Sequence, residues 1–329
     1  MTTIIAPIIG SLELPKADGR EVELPKLITD SGTAIIKRYV EFFFVHIRNR
    51  RTRRAYRNGI NPFLEWCEAR GICLMAITPI VIAAYIESHQ GAAPTVNQHL
   101  AAIKQLFSWL QADGLIERNP AEEVRGVKHR VKVGKTPVLS DDEVKKLLSD
   151  IDISHVVGLR DRALIATMFY SFARIGAVLA MQVGDYFSKG QSYWLRLHEK
   201  GGKYHEVPVH AILKHNIDAY INAGELADAA VASTPLFRTT RGRTRRLTER
   251  RLQQLEAWAM VKRRAEASGI TTNVCNHSFR ASGITNFLTN GGSLDNAQRI
   301  AGHEVISTTA LYDRRGDSIS LDEIERIRL

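Results

Sequence analysis

Cysteine is scarce in this sequence, which has three among its 329 residues: Cys67, Cys73 and Cys275. So few and so scattered thiols exclude a disulfide framework and a zinc cluster, and they suit a reducing compartment. No apolar run approaches the roughly 20 residues that a membrane span needs. The charged start of a secretory signal is also missing, because the first basic residue is Lys16. We therefore expect a soluble, cytoplasmic protein with no membrane partner.

The overall composition is ordinary for a globular protein, with 44% hydrophobic and 24% charged residues. This composition excludes a mainly disordered chain, a collagen and a miniprotein that depends on disulfides. The length of 329 residues predicts two domains, since each domain commonly takes about 150 residues.

Positive charge exceeds negative charge. The 45 Lys and Arg residues outnumber the 35 Asp and Glu residues, which gives a formal net charge of +10. Net charge informs on partners rather than on fold, and this balance favours a polyanion: nucleic acid or an anionic membrane surface. A basic bias that only aids solubility is the alternative that charge alone leaves open.

The pattern of apolar residues divides the chain into five segments: an N-terminal arm at 1–30, a helical domain at 31–121, a basic linker at 122–138, a second domain at 139–315 and a tail at 316–329. Prolines interrupt the apolar runs of the arm. The first domain carries stripes at helical spacing, such as Tyr56, Ile60 and Phe63, which predict three to four helices. Little apolar periodicity remains in the linker, and its glycines and basic residues predict an irregular connection.

The second domain is predicted to be mostly helical with a small sheet. Ser140 and Glu143 form a capping box that begins its first helix. Residues 192–198 alternate at period two and face 206–209 across a glycine turn, which predicts a hairpin, and Pro208 makes the return strand an edge strand. One or two buried helices are predicted over 160–181, and further helices are predicted near 247–268, 276–290 and 295–302. The whole chain is thus predicted to be mainly α with a small β-sheet (α+β).

Two motifs fail on their spacing. His205, Glu206 and His210 are similar to H-E-x-x-H, but the second histidine comes one residue too late and the segment is a strand with a proline. Gly202 and Lys203 lack the upstream glycine of a phosphate-binding loop. No metal site and no cofactor are expected.

Six residues form the informative pattern of the second domain: Arg174, Lys200, His277, Arg280, His303 and Tyr312. His277 and Arg280 share one face near the start of a helix, where backbone N–H groups favour an anion; Asn276 is the predicted N-cap. Arg174 stands in an otherwise apolar helix and needs a partner. Lys200 lies in the glycine turn of the hairpin. Taken singly, each has a structural explanation: a cap, an exposed pair, a solvated lysine or a core aromatic.

The order and spacing of the six residues favour a shared role. The pattern Arg, Lys, His-x-x-Arg, then Gly-His followed by Tyr nine residues later, resembles the tyrosine recombinase (phage integrase) family. Residues 31–121 resemble the family's helical, SAM-like core-binding domain, through the segments 52–56, 95–104 and 119–120. The resemblance covers most of the chain and implies a clamp of two domains on DNA.

The resemblance also implies a site-specific recombinase and a role for each of the six residues. The two arginines would neutralise the phosphate oxygens, and the two histidines would hydrogen-bond the phosphate and move protons. Tyr312 would be the nucleophile that forms a 3′-phosphotyrosyl link, and Lys200 the acid that protonates the 5′ oxygen. The link conserves bond energy, so that neither ATP nor a metal is implied.

Two positions depart from the family pattern. The acidic residue usual three positions after the first arginine is Ala177 here, and the position after Arg280, often histidine, is Ala281. Arg174 therefore lacks one expected support. An active enzyme is still expected, because the nucleophile and both arginines are present.

The DNA contacts away from the catalytic residues are predicted from basic and polar clusters at Arg50, Arg54, Arg57, Gln98, His99, Lys104, Arg241 and Arg243. Arg50, Arg54 and Arg57 share a helical stripe suited to phosphates, although a solvated face is the alternative. The implied partners are double-stranded recombination sites and three further copies of the chain in a tetramer on paired sites, with a monomer free in solution. The tail would dock on a neighbouring subunit or on its own domain.

Two other functions stay open at this point. A relaxing enzyme similar to type IB topoisomerases would use the same chemistry as a monomer without paired sites. A catalytically silent DNA-binding protein on the same scaffold is the second alternative, and Ala177 favours it. The target sequence, the direction of the reaction and the kind of mobile element are not encoded in any recognisable motif.

Overall fold

The computed structural model describes residues 24–129, 134–198, 204–242 and 244–313. The chain divides between residues 130 and 131 into two compact units, called here the N-terminal unit and the C-terminal unit. This division falls inside the predicted linker, and the predicted segment boundaries stay predictions. Most of the predicted arm and the predicted tail at 316–329 lie outside the described residues.

The described part of the N-terminal unit is helical: α1 Lys26–Thr29, α2 Thr33–Glu41, α3 Arg50–Glu68, α4 Pro79–Ser88 and α5 Ala93–Ala112. The predicted stripes are confirmed, because Ile60, Phe63 and Phe107 are fully buried between these helices. The long helices α3 and α5 approach closely at Gly59, where a side chain would meet the His99 backbone at 3.0 Å.

The described elements of the C-terminal unit are α6 Asp141–Ser149, α7 Val156–Tyr170, α8 Ile175–Ala180, β1 Tyr186–Lys189, β2 Ser192–His198, β3 Tyr204–Pro208, α9 Ala211–Ala223, β4 Arg238–Thr240, β5 Leu247–Arg251, α10 Gln254–Ala267, α11 Asn276–Thr289, α12 Leu294–Ala301 and α13 Ile306–Ala310. The capping box that begins α6 is confirmed. The Glu143 N–H donates to Ser140 Oγ at 3.2 Å, and the Ser140 N–H donates to Glu143 Oε2 at 2.8 Å. Both donors would otherwise lack a partner at the helix start.

The predicted hairpin is confirmed as β2 and β3, which pair antiparallel with Trp194 opposite Pro208 and His198 opposite Tyr204. The sheet order is β1-β2-β3, so that Pro208 does lie on an edge strand. Strand β1 was not predicted, because its four residues are too few for a clear alternation. The turn that contains Lys200 lies outside the described residues.

One helix prediction was wrong in part. Residues 247–251 form β5, which pairs antiparallel with β4, rather than the start of a helix. Helix α10 begins later because Gln253 and Glu256 form a capping box there. Of the one or two helices predicted over 160–181 the structure has two, because Phe172 has a φ of +53° and cannot continue the right-handed helix that ends at Tyr170.

Helix α7 lies at the centre of the C-terminal unit. Its residues Leu164, Ile165 and Met168 are fully buried, and α9 and α11 pack against it. The approach of α11 is closest at Gly283, where a side chain would overlap the Phe169 carbonyl oxygen. Glycine at this position therefore sets how near α11 can lie to α7 and to the loop that follows it. Among the described residues, no helix is both long and apolar enough to cross a membrane.

Gly283→Ala is expected to lower the free energy of unfolding of the C-terminal unit by about 1–3 kcal/mol, because the backbone of α7 would have to move. Gly176 in α8 is the matched control, since a side chain there would meet nothing within 4 Å. Gly176→Ala is expected to be neutral or to stabilise by up to about 1 kcal/mol. Urea unfolding measures both variants, and a Gly283→Ala variant as stable as wild type would contradict this account.

Candidate active site

Arg280 is the most deeply buried member of the site. It lies in the first turns of α11, and its residue is only 1% exposed. Its Nη1 donates to the Phe172 carbonyl, and its Nη2 donates to the Ala301 carbonyl at 2.8 Å. Neither carbonyl carries a charge, so these bonds fix the guanidinium without neutralising it.

Arg174 lies beside the anchored Phe172, at the N-cap of α8. The sequence predicted Arg174 inside a helix, and this was wrong: the left-handed Phe172 ends the preceding helix, and Arg174 begins the next one. Its carbonyl accepts from the Ala177 N–H at 2.8 Å, and its half-buried side chain leaves the backbone at the start of α8. Ala177 is buried and has only a methyl group, so its side chain offers the guanidinium no hydrogen-bond acceptor.

Helix α11 begins at Asn276, and this corrects the predicted N-cap. The cap is Cys275, whose N–H donates to Ser278 Oγ at 3.1 Å, because Ser278 reaches back from the first turn. His277 therefore stands second in the helix and is exposed. The predicted sharing of a helix by His277 and Arg280 is confirmed.

His303 follows a glycine that ends α12. Gly302 has a φ of +60°, and its N–H donates to the Arg299 carbonyl, while the His303 N–H donates to the Gln298 carbonyl at 3.1 Å. This pair of bonds is a Schellman motif, which requires the left-handed conformation that glycine adopts without strain. His303 is buried, and its Nδ1 lies 2.8 Å from Thr309 Oγ1. The tight turn thus presents His303 in a fixed orientation.

Tyr312 lies against His303. The two rings are nearly parallel, with centroids 5.8 Å apart and an angle of 8° between their planes. The Tyr312 N–H donates to the Thr309 carbonyl at 2.9 Å, and its carbonyl accepts from Thr285 Oγ1 at 2.9 Å. Helices α11 and α13 therefore hold the backbone of Tyr312, and its residue is only 9% exposed.

Lost hydration and, after it, the two guanidiniums lower the pKa values of both imidazoles. Loss of hydration lowers the pKa of His277, and the positive charges of Arg280 and Arg174 lower it further, although the residue is exposed at its outer edge. Burial lowers the pKa of His303 to about 3, with contributions from the same two arginines and from His277. Because such effects act over short distances, all four side chains belong to one site. Both imidazoles are neutral at pH 7.

The remaining predicted residues of the C-terminal unit are not all described. Lys200 and Arg243 lie outside the described residues, and Arg241 is exposed after β4. Within the described ranges, no three His, Cys, Asp or Glu side chains are grouped as metal ligands would be.

The N-terminal unit carries the other predicted DNA contacts. Its three predicted arginines are exposed in the first half of α3, and Gln98 is exposed on α5. His99 is half-buried: its Nδ1 lies 3.0 Å from His89 Nε2 and 3.3 Å from the Tyr85 hydroxyl. Lys104 Nζ donates to the Glu122 carbonyl within the same unit. His99 and Lys104 are thus partly committed to contacts inside the unit.

Several supporting residues were not predicted from the sequence. Phe172 holds Arg280 through its carbonyl, and no sequence signal marks a phenylalanine with a positive φ. Thr309 and Thr285 hold the histidine and the tyrosine, and Gln298 Nε2 donates to the His303 carbonyl at 3.1 Å. Thr309 comes three residues before Tyr312, and this helical spacing is the one feature of the sequence that could have indicated its position beside the site.

The low pKa of His303 predicts that stability depends on pH. An unfolded histidine titrates near pH 6.5, whereas burial holds the pKa of His303 at about 3. Between these values the unfolded chain binds the extra proton, so the free energy of unfolding is expected to fall as the pH drops from about 7 toward about 4. His303→Gln is expected to remove part of this slope. Urea unfolding between about pH 5 and 7, above the carboxylate range, measures it; equal slopes in both proteins would contradict the prediction.

Comparison with known proteins identifies the family. The model of the phage integrase family matches residues 137–318, more than half of the chain, and the model of its N-terminal SAM-like domain matches residues 36–114. The tyrosine recombinase XerD of Ralstonia nicotianae is 27% identical over 286 residues, which cover 86% of this chain and 90% of that protein.

Two solved structures show the same fold. XerH bound to a palindromic difH substrate, after cleavage, matches with a TM-score of 0.65 at 19% identity, over 86% of this chain and 80% of that one. A lambda integrase tetramer bound to a Holliday junction matches with a TM-score of 0.64 at 17% identity, over 96% of this chain and 87% of that one. The predicted class, mainly α with small antiparallel sheets, is thereby confirmed. The chain belongs to the phage integrase family, and the protein is a tyrosine recombinase.

Proposed function

We propose that the protein is a site-specific DNA recombinase that cuts and rejoins strands through a 3′-phosphotyrosyl intermediate. The observation that carries this proposal is the convergence of two guanidiniums and two neutral imidazoles beside Tyr312, whose ring stacks on His303. This group of side chains suits attack on a phosphodiester, and none of the six proposed catalytic residues is a carboxylate that would repel one.

Charge neutralisation is the first requirement, since a phosphodiester is an anionic and slow electrophile. Arg174 and Arg280 supply two planar cations that stay charged at any working pH, and a guanidinium can bind two phosphate oxygens at once. The buried Arg280 is anchored by carbonyls, so it is oriented before DNA arrives. Fixed charges of this kind stabilise the transition state without reorganisation. We expect the reaction to proceed without added metal or ATP.

Proton transfer is the second requirement. The Tyr312 oxygen attacks phosphorus and forms the new ester bond, while the bond from phosphorus to the 5′ oxygen breaks. A phenol of ordinary pKa near 10 must lose its proton in this step, and neutral His303, whose ring stacks on that of Tyr312, is the acceptor in this proposal. The departing 5′ oxygen takes a proton from Lys200 in this proposal. The reverse sequence rejoins strands, because the phosphotyrosyl ester conserves the energy of the broken bond.

Double-stranded recombination sites and a tetramer are the proposed partners. XerH is described on a difH substrate, and lambda integrase is described as a tetramer on a Holliday junction. In this chain, α3 has arginines and no acidic residue in its first turn. Cations there oppose the helix dipole, an arrangement that a bound phosphate relieves. We propose that this arginine face, defined by Arg50, Arg54 and Arg57, contacts DNA phosphates, with Arg241 and Arg243 as further contacts.

Tyr312→Phe is expected to abolish the covalent protein–DNA adduct and to leave DNA binding unchanged, since only the nucleophilic oxygen is removed. Denaturing gel electrophoresis of protein incubated with end-labelled genomic fragments in the presence of EDTA measures the adduct. Tyr193→Phe on β2 is the matched control and is expected to form the adduct normally. An adduct that persists in Tyr312→Phe would assign the nucleophile to another residue.

The Lys200→Ala variant is expected to cleave an ordinary strand slowly. It is expected to cleave at the normal rate a strand with sulfur in place of the 5′ bridging oxygen. A thiolate leaves without a proton, because its pKa is far below that of an alcohol. Lys203→Ala, three positions further along the sequence, is the matched control and should show no such rescue. If sulfur rescues Lys203→Ala instead, the acid is Lys203.

A further inference from the structure

His205 belongs to the segment that is similar to a metal-binding motif but has the wrong spacing, and the proposed mechanism gives it no role. It lies on β3 and is half-buried, and its Nε2 lies 3.2 Å from the Ile300 carbonyl oxygen in the last turn of α12. A carbonyl can only accept, so the imidazole carries its proton on Nε2 and donates it. This bond joins the hairpin to the turn that precedes His303.

The ring of His205 also packs against Gly302. A Cβ at Gly302 would lie 2.9 Å from His205 Cε1, which is closer than real Cβ atoms approach, and 3.2 Å from its Nδ1, which is a tight contact. Two features therefore favour glycine at this position: the positive φ of the Schellman motif and the imidazole that packs beside it. The His205 ring thus packs directly against the turn at Gly302.

Two side chains from different elements hold successive carbonyls of this turn. His205 from β3 donates to Ile300, and Arg280 from α11 donates to Ala301 at 2.8 Å. The chain then passes through one glycine to His303, whose N–H and carbonyl both bond to Gln298. The position of His303 thus depends on a short turn that is fixed from both sides.

We propose that His205 is a positioning residue, which holds the Ile300–Gly302 turn so that His303 meets the scissile phosphate and the tyrosine. This inference rests on the proposed function, because it assigns His205 a role in that strand-cleavage step. His205 acts through the turn and is not proposed to touch DNA. No sequence pattern links His205 to His303, because His205 stands on a strand 98 positions before it.

His205→Leu is expected to slow single-turnover cleavage by about 10- to 100-fold, because a small misplacement of a catalytic group costs that much. DNA affinity is expected to stay unchanged. His205→Gln keeps an N–H donor at a similar reach and is expected to recover most of the rate. His215→Leu, an exposed histidine on α9, is the matched control and should cleave at the wild-type rate.

A double-mutant cycle with His303→Ala tests the route of the effect. If His205 acts through His303, adding His205→Leu to His303→Ala causes little further loss. If the rate losses of the two single variants multiply in the double variant, the proposal is overturned. Rescue of His205→Leu by the sulfur-substituted strand would also overturn it, because the effect would then be on the leaving-group acid. Cleavage by His205→Leu at the wild-type rate would also overturn it. Wild-type adduct formation, measured in parallel, shows whether the proposed function itself holds.

Discussion

The site depends on one buried cation that is fixed by two backbone carbonyls. Arg280 bonds to Phe172 in the loop before α8 and to Ala301 at the end of α12. A buried guanidinium is costly when its donors lack partners, so neither segment can move away without a large loss of stability. Arg174 stands two residues after the first carbonyl, and His303 stands two residues after the second. The anchored Arg280 side chain thereby fixes the backbone positions from which the Arg174 and His303 side chains extend.

The same cation shapes the chemistry available to its neighbours. Lost hydration, with the positive charge of the arginines added to it, keeps both imidazoles neutral, and the lowering of the pKa is larger at the buried His303 than at His277. A neutral imidazole can accept a proton, whereas a charged one cannot. In the proposed mechanism the arginines supply the charge, and the histidines exchange protons.

Local patterns predicted much of the fold, and they failed where contacts between distant segments decide. The hairpin β2–β3 follows from alternation at period two, and α6 follows from its capping box, because both are local effects. The segment 247–251 was predicted as helix, but its pairing with β4 draws it into a strand. The sequence left open whether 160–181 forms one helix or two. The break after α7 requires a phenylalanine at positive φ, which is strained, and only the surrounding packing can maintain it.

The residue types of the candidate site, their order along the chain and the glycine before His303 can be read from the sequence, since these are properties of motifs and of backbone conformation. The groups that hold these residues follow from folding: the Phe172 and Ala301 carbonyls, Thr309, and His205 on the hairpin. The reason is physical. A carbonyl is present at every position of any sequence, and only folding determines which one faces a buried guanidinium.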